Sequence, residues 1–218
     1  MKINLAGNPF IQMWARPRKT LEEILKKDNR YGFLILSFFY GFVHAVQFCQ
    51  VRSFGDTFNI WMNLFLILVF SIPLGAAYYY VSAFFYYWTG KLIGGKGSFT
   101  DIRCAISWSN VTQIVSTILI IMMLALFNNL FFKRAFVEQS YQNWELVFVI
   151  IFLVGEVILS IWTFILFVGS IAAAHRFSIW MSLLNIFIVS LFYIGLVFIF
   201  EKLTTFGGET ISLIGRSL

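Results

Sequence analysis

The chain has 218 residues, of which 60% are hydrophobic and only 12% are charged, and its net charge is +6. A soluble domain of this length cannot bury so much apolar surface, so the composition excludes a soluble protein and indicates a single integral membrane domain. The two cysteines, Cys49 and Cys104, are too few for a disulfide framework, and we assign them no redox role.

The opening segment, residues 1–30, is too polar to cross a membrane. NPFIQMW offers Asn8 as an N-cap with Pro9 at the first helical position, and TLEEILKK offers Thr20 and Glu23 at capping-box spacing. We therefore expect one or two short amphipathic helices lying on the inner leaflet. A basic flank that only fixes the topology is the alternative. The side chains expected to point into the lipid are Phe10, Ile11 and Trp14.

Five later stretches are apolar over the roughly 20 residues that a helix needs to cross a hydrocarbon core of about 30 Å. They are Tyr31–Val51, Phe58–Trp88, Ala105–Phe132, Trp144–Ala174 and Ile179–Phe200. Pro73 in the second stretch marks an expected kink. We predict an all-α polytopic membrane protein: a cytoplasmic segment at 1–30, a five-helix domain at 31–200 and a short non-cytoplasmic tail at 201–218. Tryptophans near the span ends are expected to anchor at the membrane interface: Trp61, Trp88, Trp108, Trp144 and Trp180.

Lys and Arg are unevenly distributed between the two sides of these spans. One side has eleven: Lys2, Arg16, Arg18, Lys19, Lys26, Lys27, Arg30, Lys91, Lys96, Arg103 and Arg176. The other has five: Arg52, Lys133, Arg134, Lys202 and Arg216. Because cytoplasmic loops are enriched in Lys and Arg, this asymmetry predicts a cytoplasmic N-terminus. Anionic lipid headgroups are expected to attract the basic face. Nucleic acid is not an expected partner, because the basic residues flank membrane spans.

The stretch TGKLIGGKGSFTD contains G-x-x-x-x-G-K from Gly90 to Lys96, one residue short of a nucleotide-binding P-loop. Gly97 follows the lysine where a P-loop has Ser or Thr, and a predicted membrane helix precedes the loop where a P-loop has a β-strand. These differences exclude a nucleotide site. Either the glycines only turn the chain between two spans, or the loop also holds a lipid phosphate or a partner protein. The residues of that docking interpretation are Lys91, Gly94, Gly95, Lys96 and Gly97. SFTD is expected to cap a short helix that leads into the third span.

Two stretches carry a resemblance to a known family. WTGKLIGGKGSFTDIR, continuing to AISWSNV, resembles the central signature of the Yip family (Ypt-interacting proteins), in its bacterial branch. NPFIQMWARPRKTLEEIL looks like the opening of the same domain. The two stretches occur in the order and separation typical of the family, and the likeness extends from Asn8 to Phe200.

The resemblance implies a polytopic helical bundle with a cytoplasmic N-terminus. Eukaryotic members are associated with membrane trafficking, bind prenylated Rab-type GTPases and each other, and have no established catalytic activity. This chain departs from that branch in its short N-terminal segment and in lacking a DLYGP-type stretch before the first span. Both departures argue against Rab binding.

Ionisable side chains inside a membrane are costly, by about 2.5–3.5 kcal/mol on insertion scales, so each is a candidate functional residue. Glu156 lies in the fourth span, with Ser160 and Thr163 on the same helix face. His44 and Gln47 belong to a polar stripe in the first span. Their helical rise places His44 roughly 10 Å and Glu156 roughly 18 Å from the outer ends of their helices, so the two could meet.

Two interpretations of these groups remain open. Glu156 and His44 form a proton or cation site of a transporter, or they are buried hydrogen-bonded groups that fix helix register. In the second case Glu156 is either paired with His44 or neutral and bonded to hydroxyls. Gln113 in the third span is an amide expected to bond across a helix interface.

Catalytic motifs are missing from the sequence, which has no H-E-x-x-H, no G-x-S-x-G and too few His and Cys for an ordinary zinc site. We therefore expect a non-enzymatic scaffold without cofactors, in a bacterial cytoplasmic membrane, that binds other membrane proteins or copies of itself. Its cytoplasmic docking surface is expected around Arg16, Arg18 and the glycine loop. A small transporter or transport accessory subunit using Glu156 and His44 is the alternative.

Overall fold

The computed structural model describes residues 7–216, with side chains as far as Ile199, and all regular structure in this part is helical. The helices are α1 (Pro9–Ala15), α2 (Pro17–Lys27), α3 (Phe33–Val51), α4 (Ile60–Leu92), α5 (Phe99–Ser109), α6 (Gln113–Phe127), α7 (Ala135–Glu138), α8 (Asn143–His175) and α9 (Ile179–Arg216). Five stretches are long and apolar enough to cross a membrane: α3, α4, Phe99–Phe132, α8 and Ile179–Ile199. The all-α, five-span prediction is confirmed. The last helix continues beyond the predicted end of its span at Phe200.

The N-terminal segment forms two short helices, α1 and α2. Asn8 caps α1 as predicted, since its side chain accepts from the Phe10 N–H, and Pro9 follows it. The capping box predicted at Thr20 is wrong. Helix α2 begins three residues earlier at Pro17, and the Thr20 hydroxyl donates to the Arg16 carbonyl from inside the helix.

These two helices pack on the membrane domain. Phe10 lies against Trp108 of α5 with ring centroids 4.9 Å apart, and Leu21 and Ile24 are fully buried. Trp14 packs on the same core, whereas Ile11 is 70% exposed. Of the three side chains expected to point into lipid, two are therefore in contact with protein.

The predicted third span is divided into α5 and α6. Helix α5 begins with a capping box: the Ser98 hydroxyl accepts from the Asp101 N–H, and the Asp101 carboxylate accepts from the Ser98 N–H. The expected cap is confirmed, and the helical segment begins at Phe99 instead of Ala105. A short 3₁₀ turn at Asn110–Thr112 separates α5 from α6. Side chains near the break bond to the preceding turn, as the Asn110 amide does to the Ile106 carbonyl, and such bonds compete with the helical ladder.

Helices α3 and α4 cross at a point where a glycine of each helix faces the backbone of the other helix. A Cβ at Gly41 would collide with the Ser71 carbonyl, and one at Gly75 with the Ser37 carbonyl. Ser37 and Gly41 of α3 thus belong to this crossing. Pro73 lies within α4, two residues from Gly75.

Trp108 corrects the tryptophan prediction. Its side chain is fully buried, and its indole N–H donates to the Tyr31 carbonyl at 3.0 Å. It therefore anchors the core between α5 and the N-terminal segment and is not an interfacial anchor. The other four tryptophans of that prediction are exposed: Trp61, Trp88, Trp144 and Trp180.

Candidate functional sites

The glycine loop after α4 closes around the ring of His175, the last residue of α8. A Cβ at Gly90 or at Gly95 would collide with the His175 imidazole. The ring is buried, stacks on Phe177, and its Nε2 lies 3.1 Å from the Tyr86 carbonyl. The five-residue spacing of Gly90 and Gly95 therefore reflects the packing of an imidazole between them.

Of the three glycines Gly94, Gly95 and Gly97, one adopts a left-handed conformation. Gly94 does, with φ +90°, and makes the turn, whereas Gly95 and Gly97 do not. A Cβ at Gly97 would instead meet the Ala174 carbonyl, so this glycine permits close approach to α8.

The N–H groups of the loop are largely used within the protein. The Gly95 N–H donates to the Gly90 carbonyl at 2.7 Å, and the Gly94 N–H donates to the Lys91 carbonyl. The Lys96 N–H donates to the His175 carbonyl at 3.1 Å. These three donors are not available to a phosphate. Phosphate capture by the loop backbone, one form of the docking interpretation, has no support in this geometry.

A pocket at this end of the bundle is surrounded by three segments that are far apart in the sequence. We call it the N-terminal pocket. Its volume is about 380 Å³. Four basic side chains line it, two from α2, one from the glycine loop and one from the turn after α8: Arg18, Lys26, Lys96 and Arg176. Two acidic side chains, Glu22 and Asp101, also line it.

Both acidic groups of the pocket already have partners. Glu22 pairs with Arg18 at 3.3 Å, and Asp101 accepts from the Asn29 amide at 3.0 Å besides capping α5. Lys96 and Arg176 form no ion pair within the described residues. Arg176 is held in a left-handed conformation, φ +59°, which ends α8. The pocket therefore has an excess of positive charge.

Several of the predicted docking residues lie at this pocket and others do not. Arg18, Lys96 and Gly97 line it. Arg16 is exposed between α1 and α2, Lys91 is exposed with its ammonium group 5.6 Å from the Tyr87 ring centroid, and Gly94 is exposed at the turn. The sequence-based prediction omitted Lys26 and Arg176, whose only signal was their contribution to the charge asymmetry.

A second candidate site lies within the spans, and we call it the polar cavity. Its volume is about 350 Å³. All four intramembrane polar residues singled out from the sequence line it: His44, Gln47, Gln113 and Glu156. Ser160 and Thr163 also line it, as expected from their common face with Glu156. The fold thus brings together polar groups from α3, α6 and α8.

Glu156 and His44 share the cavity without a hydrogen bond between them. One Glu156 oxygen accepts from the Ser116 hydroxyl at 3.2 Å, and the His44 ring lies on Tyr40 with centroids 4.1 Å apart. The other Glu156 oxygen, Oε1, is buried without a hydrogen-bond partner, as is Gln113 Oε1. Two acceptors of the cavity are therefore unsatisfied.

The aromatic wall of the cavity was not predicted. It consists of Tyr78 and Tyr86 of α4 with Phe164 and Phe167 of α8. Sequence reasoning also omitted His175, because nothing in the sequence shows which glycines its ring will contact. Within residues 7–216, no group of three His, Cys, Asp or Glu side chains is arranged to hold a metal ion.

Five helices long and apolar enough to cross a membrane, four of which line the polar cavity, define an integral multi-pass membrane protein. The chain matches the Yip1 domain over residues 11–200, most of its length, and it belongs to the Yip1 family. The resemblance noted in the sequence is thereby confirmed. No curated protein matches the chain. No solved structure matches it either.

Proposed function

We propose that this protein is a non-enzymatic membrane scaffold that binds an acidic cytoplasmic segment of a partner membrane protein at the N-terminal pocket. The observation that carries the proposal is the convergence of three distant segments on that pocket, with four basic side chains around it. Opposite charge steers partners together and selects among them. The eleven-to-five distribution of Lys and Arg supports a cytoplasmic position for this face.

A protein segment suits the pocket better than a single lipid phosphate. The N–H groups of Gly94, Gly95 and Lys96 are engaged within the protein, so the loop offers no backbone cradle for a phosphate. Lys96 and Arg176, which form no close ion pair within the described residues, come from separate segments. Side chains spread in this way match several carboxylates along a peptide.

The test is crosslinking in native bacterial membranes with the double variant Lys96→Glu, Arg176→Glu. We expect partner crosslinks to fall at least several-fold, because two attractive contacts become repulsive. Lys19→Glu is the matched control on the same face, since Lys19 is exposed and does not line the pocket. Crosslinks equal to wild type in the double variant would refute the proposal.

The same experiment separates a protein partner from a lipid. If the double variant keeps its protein crosslinks but loses anionic lipid that co-purifies with wild type, the pocket binds a headgroup and the docking proposal is wrong. If protein crosslinks are lost and the lipid content is unchanged, the partner is a protein.

A small transporter or transport accessory subunit is the second candidate function, favoured by the polar cavity. Glu156 and His44 line one cavity among the spans, where ionisable groups are costly and commonly functional. Proton-coupled flux in liposomes containing only this protein, abolished by Glu156→Gln, would favour transport over a scaffold.

A further inference from the structure

Two hollows adjoin each other in the membrane-spanning region. The first is the polar cavity. The second is a groove of about 500 Å³ between α3 and α4, whose walls are mainly apolar side chains such as Ala45, Phe70 and Leu74. His44 and Tyr78 line both hollows. The polar cavity and the apolar groove therefore share two lining residues.

Two acceptor atoms of the polar cavity have no donor among the described protein groups. Glu156 Oε1 and Gln113 Oε1 are both buried without a hydrogen-bond partner. No Lys or Arg is among the described residues that line the cavity. A carboxylate at this depth requires either a proton or a cation beside it, because burying an unpaired charge is very costly. A ligand that supplies N–H donors and positive charge would satisfy both oxygens.

Aromatic rings complete this compartment. Tyr78, Tyr86, Phe164 and Phe167 line the cavity that contains Glu156. Cations bind over such rings, and aromatic walls with a carboxylate are a common way to recognise organic ammonium groups. A small inorganic cation would use oxygen ligands and gain little from four rings.

We infer that the polar cavity and the adjoining apolar groove together bind an amphiphilic amine. Its alkylammonium group lies between Glu156 and Gln113, and its alkyl chain passes His44 and Tyr78 into the groove. Access is from the lipid, because Phe164 at the edge of the cavity is 52% exposed and Ser160 beside it is exposed. The inference is independent of docking at the N-terminal pocket, since the two sites share no lining residue.

Binding of octylammonium to the purified protein in maltoside micelles tests the inference. Methylammonium has the head without the chain, and octyl sulfate has the chain with the opposite charge. We expect octylammonium to bind at least about tenfold more tightly than either compound, because only it offers both an ammonium group to the cavity and an alkyl chain to the groove. Equal binding of octyl sulfate would overturn the inference.

Variants test the two compartments separately. Glu156→Gln removes the charge at the head position, and Leu74→Trp fills the groove from a residue that is 44% exposed. Each is expected to weaken octylammonium binding about tenfold or more. Two control variants replace exposed residues that line neither hollow. Glu138→Gln removes a carboxylate, and Leu153→Trp adds an indole on α8.

A result in which Glu156→Gln binds like wild type contradicts the inference. Should that variant fail to fold, Gln113→Leu removes the second acceptor and decides the same point. The source of the amine is decided by mass spectrometry of lipids retained on the protein. Enrichment of phosphatidylethanolamine in wild type and its loss in Leu74→Trp identify a lipid headgroup. Surfactant binding without such enrichment identifies a free amphiphilic amine.

Discussion

His175 and the two glycines that contact its ring explain the most conspicuous pattern in the sequence. G-x-x-x-x-G-K differs from a P-loop by one residue, and sequence reasoning could exclude nucleotide binding because a membrane helix precedes it. The reason for the spacing was not predictable, because His175 lies 80 residues beyond Gly95. Gly94 is the residue at which the backbone itself requires glycine, with φ +90°.

Replacing Gly90 by Ala tests this packing. The added Cβ would collide with the His175 ring, and overpacking of a tight site typically costs about 1–3 kcal/mol of unfolding free energy. In a His175→Ala background the same change should cost much less, because the colliding ring is removed. Thermal unfolding in detergent micelles measures both effects. Gly169→Ala is the control, since no atom lies within 4 Å of the added Cβ. Equal effects of Gly90→Ala in the two backgrounds would show that the contact is unimportant.

The ends of the helices are set partly by local sequence signals and partly by tertiary packing. Asn8 and Ser98 were identified as caps from short-range patterns, because their bonds are made within three residues. Thr20 has the same local signature but lies inside α2, because Pro17 provides an earlier start. Trp108 was assigned to the membrane interface from its position along the chain. It is buried because α1 covers it, which periodicity alone does not reveal.

Trp108→Ala tests whether this tryptophan anchors the N-terminal helices. Removing a fully buried Trp typically costs about 3–5 kcal/mol, and here it also removes the hydrogen bond to Tyr31 and the contact with Phe10. We expect faster trypsin cleavage after Arg18 and Lys19, measured on purified protein at low protease. Trp180→Ala is the matched control, because Trp180 is 81% exposed. Cleavage at the wild-type rate in Trp108→Ala would mean that α1 and α2 are held by other contacts.

At the scale of the whole molecule, the N-terminal pocket and the polar cavity follow from different properties of the chain. The asymmetry of Lys and Arg predicts one basic end of the bundle, and α2, the glycine loop and Arg176 do lie together at one pocket. The polar cavity lies beside the break between α5 and α6, since Asn110 of the 3₁₀ turn lines it. That break lies immediately before Gln113, which lines the cavity together with Ser116.

Single-cysteine labelling tests the orientation that the docking proposal uses. Lys19 and Ser140 are exposed, and the order of the five spans places them on opposite sides of the membrane, so Lys19→Cys and Ser140→Cys present thiols to opposite sides. With a membrane-impermeant maleimide added to intact cells, we expect Ser140→Cys to react and Lys19→Cys to react only after the membrane is opened. Native Cys49 and Cys104 are buried and should give little background. Labelling of Lys19→Cys in intact cells would contradict the cytoplasmic N-terminus and show the opposite orientation.

The sequence by itself determined that the chain is a five-span helical membrane protein of the Yip1 family, because hydropathy, charge distribution and local motifs need only neighbouring residues to be read. It also identified Glu156, His44, Gln47 and Gln113 as intramembrane polar groups. Only the tertiary structure decided that these four line one cavity, that Ser116 is the hydrogen-bond partner of Glu156, and that an apolar groove adjoins it. Such relations depend on helix rotation and crossing, which packing between distant segments fixes.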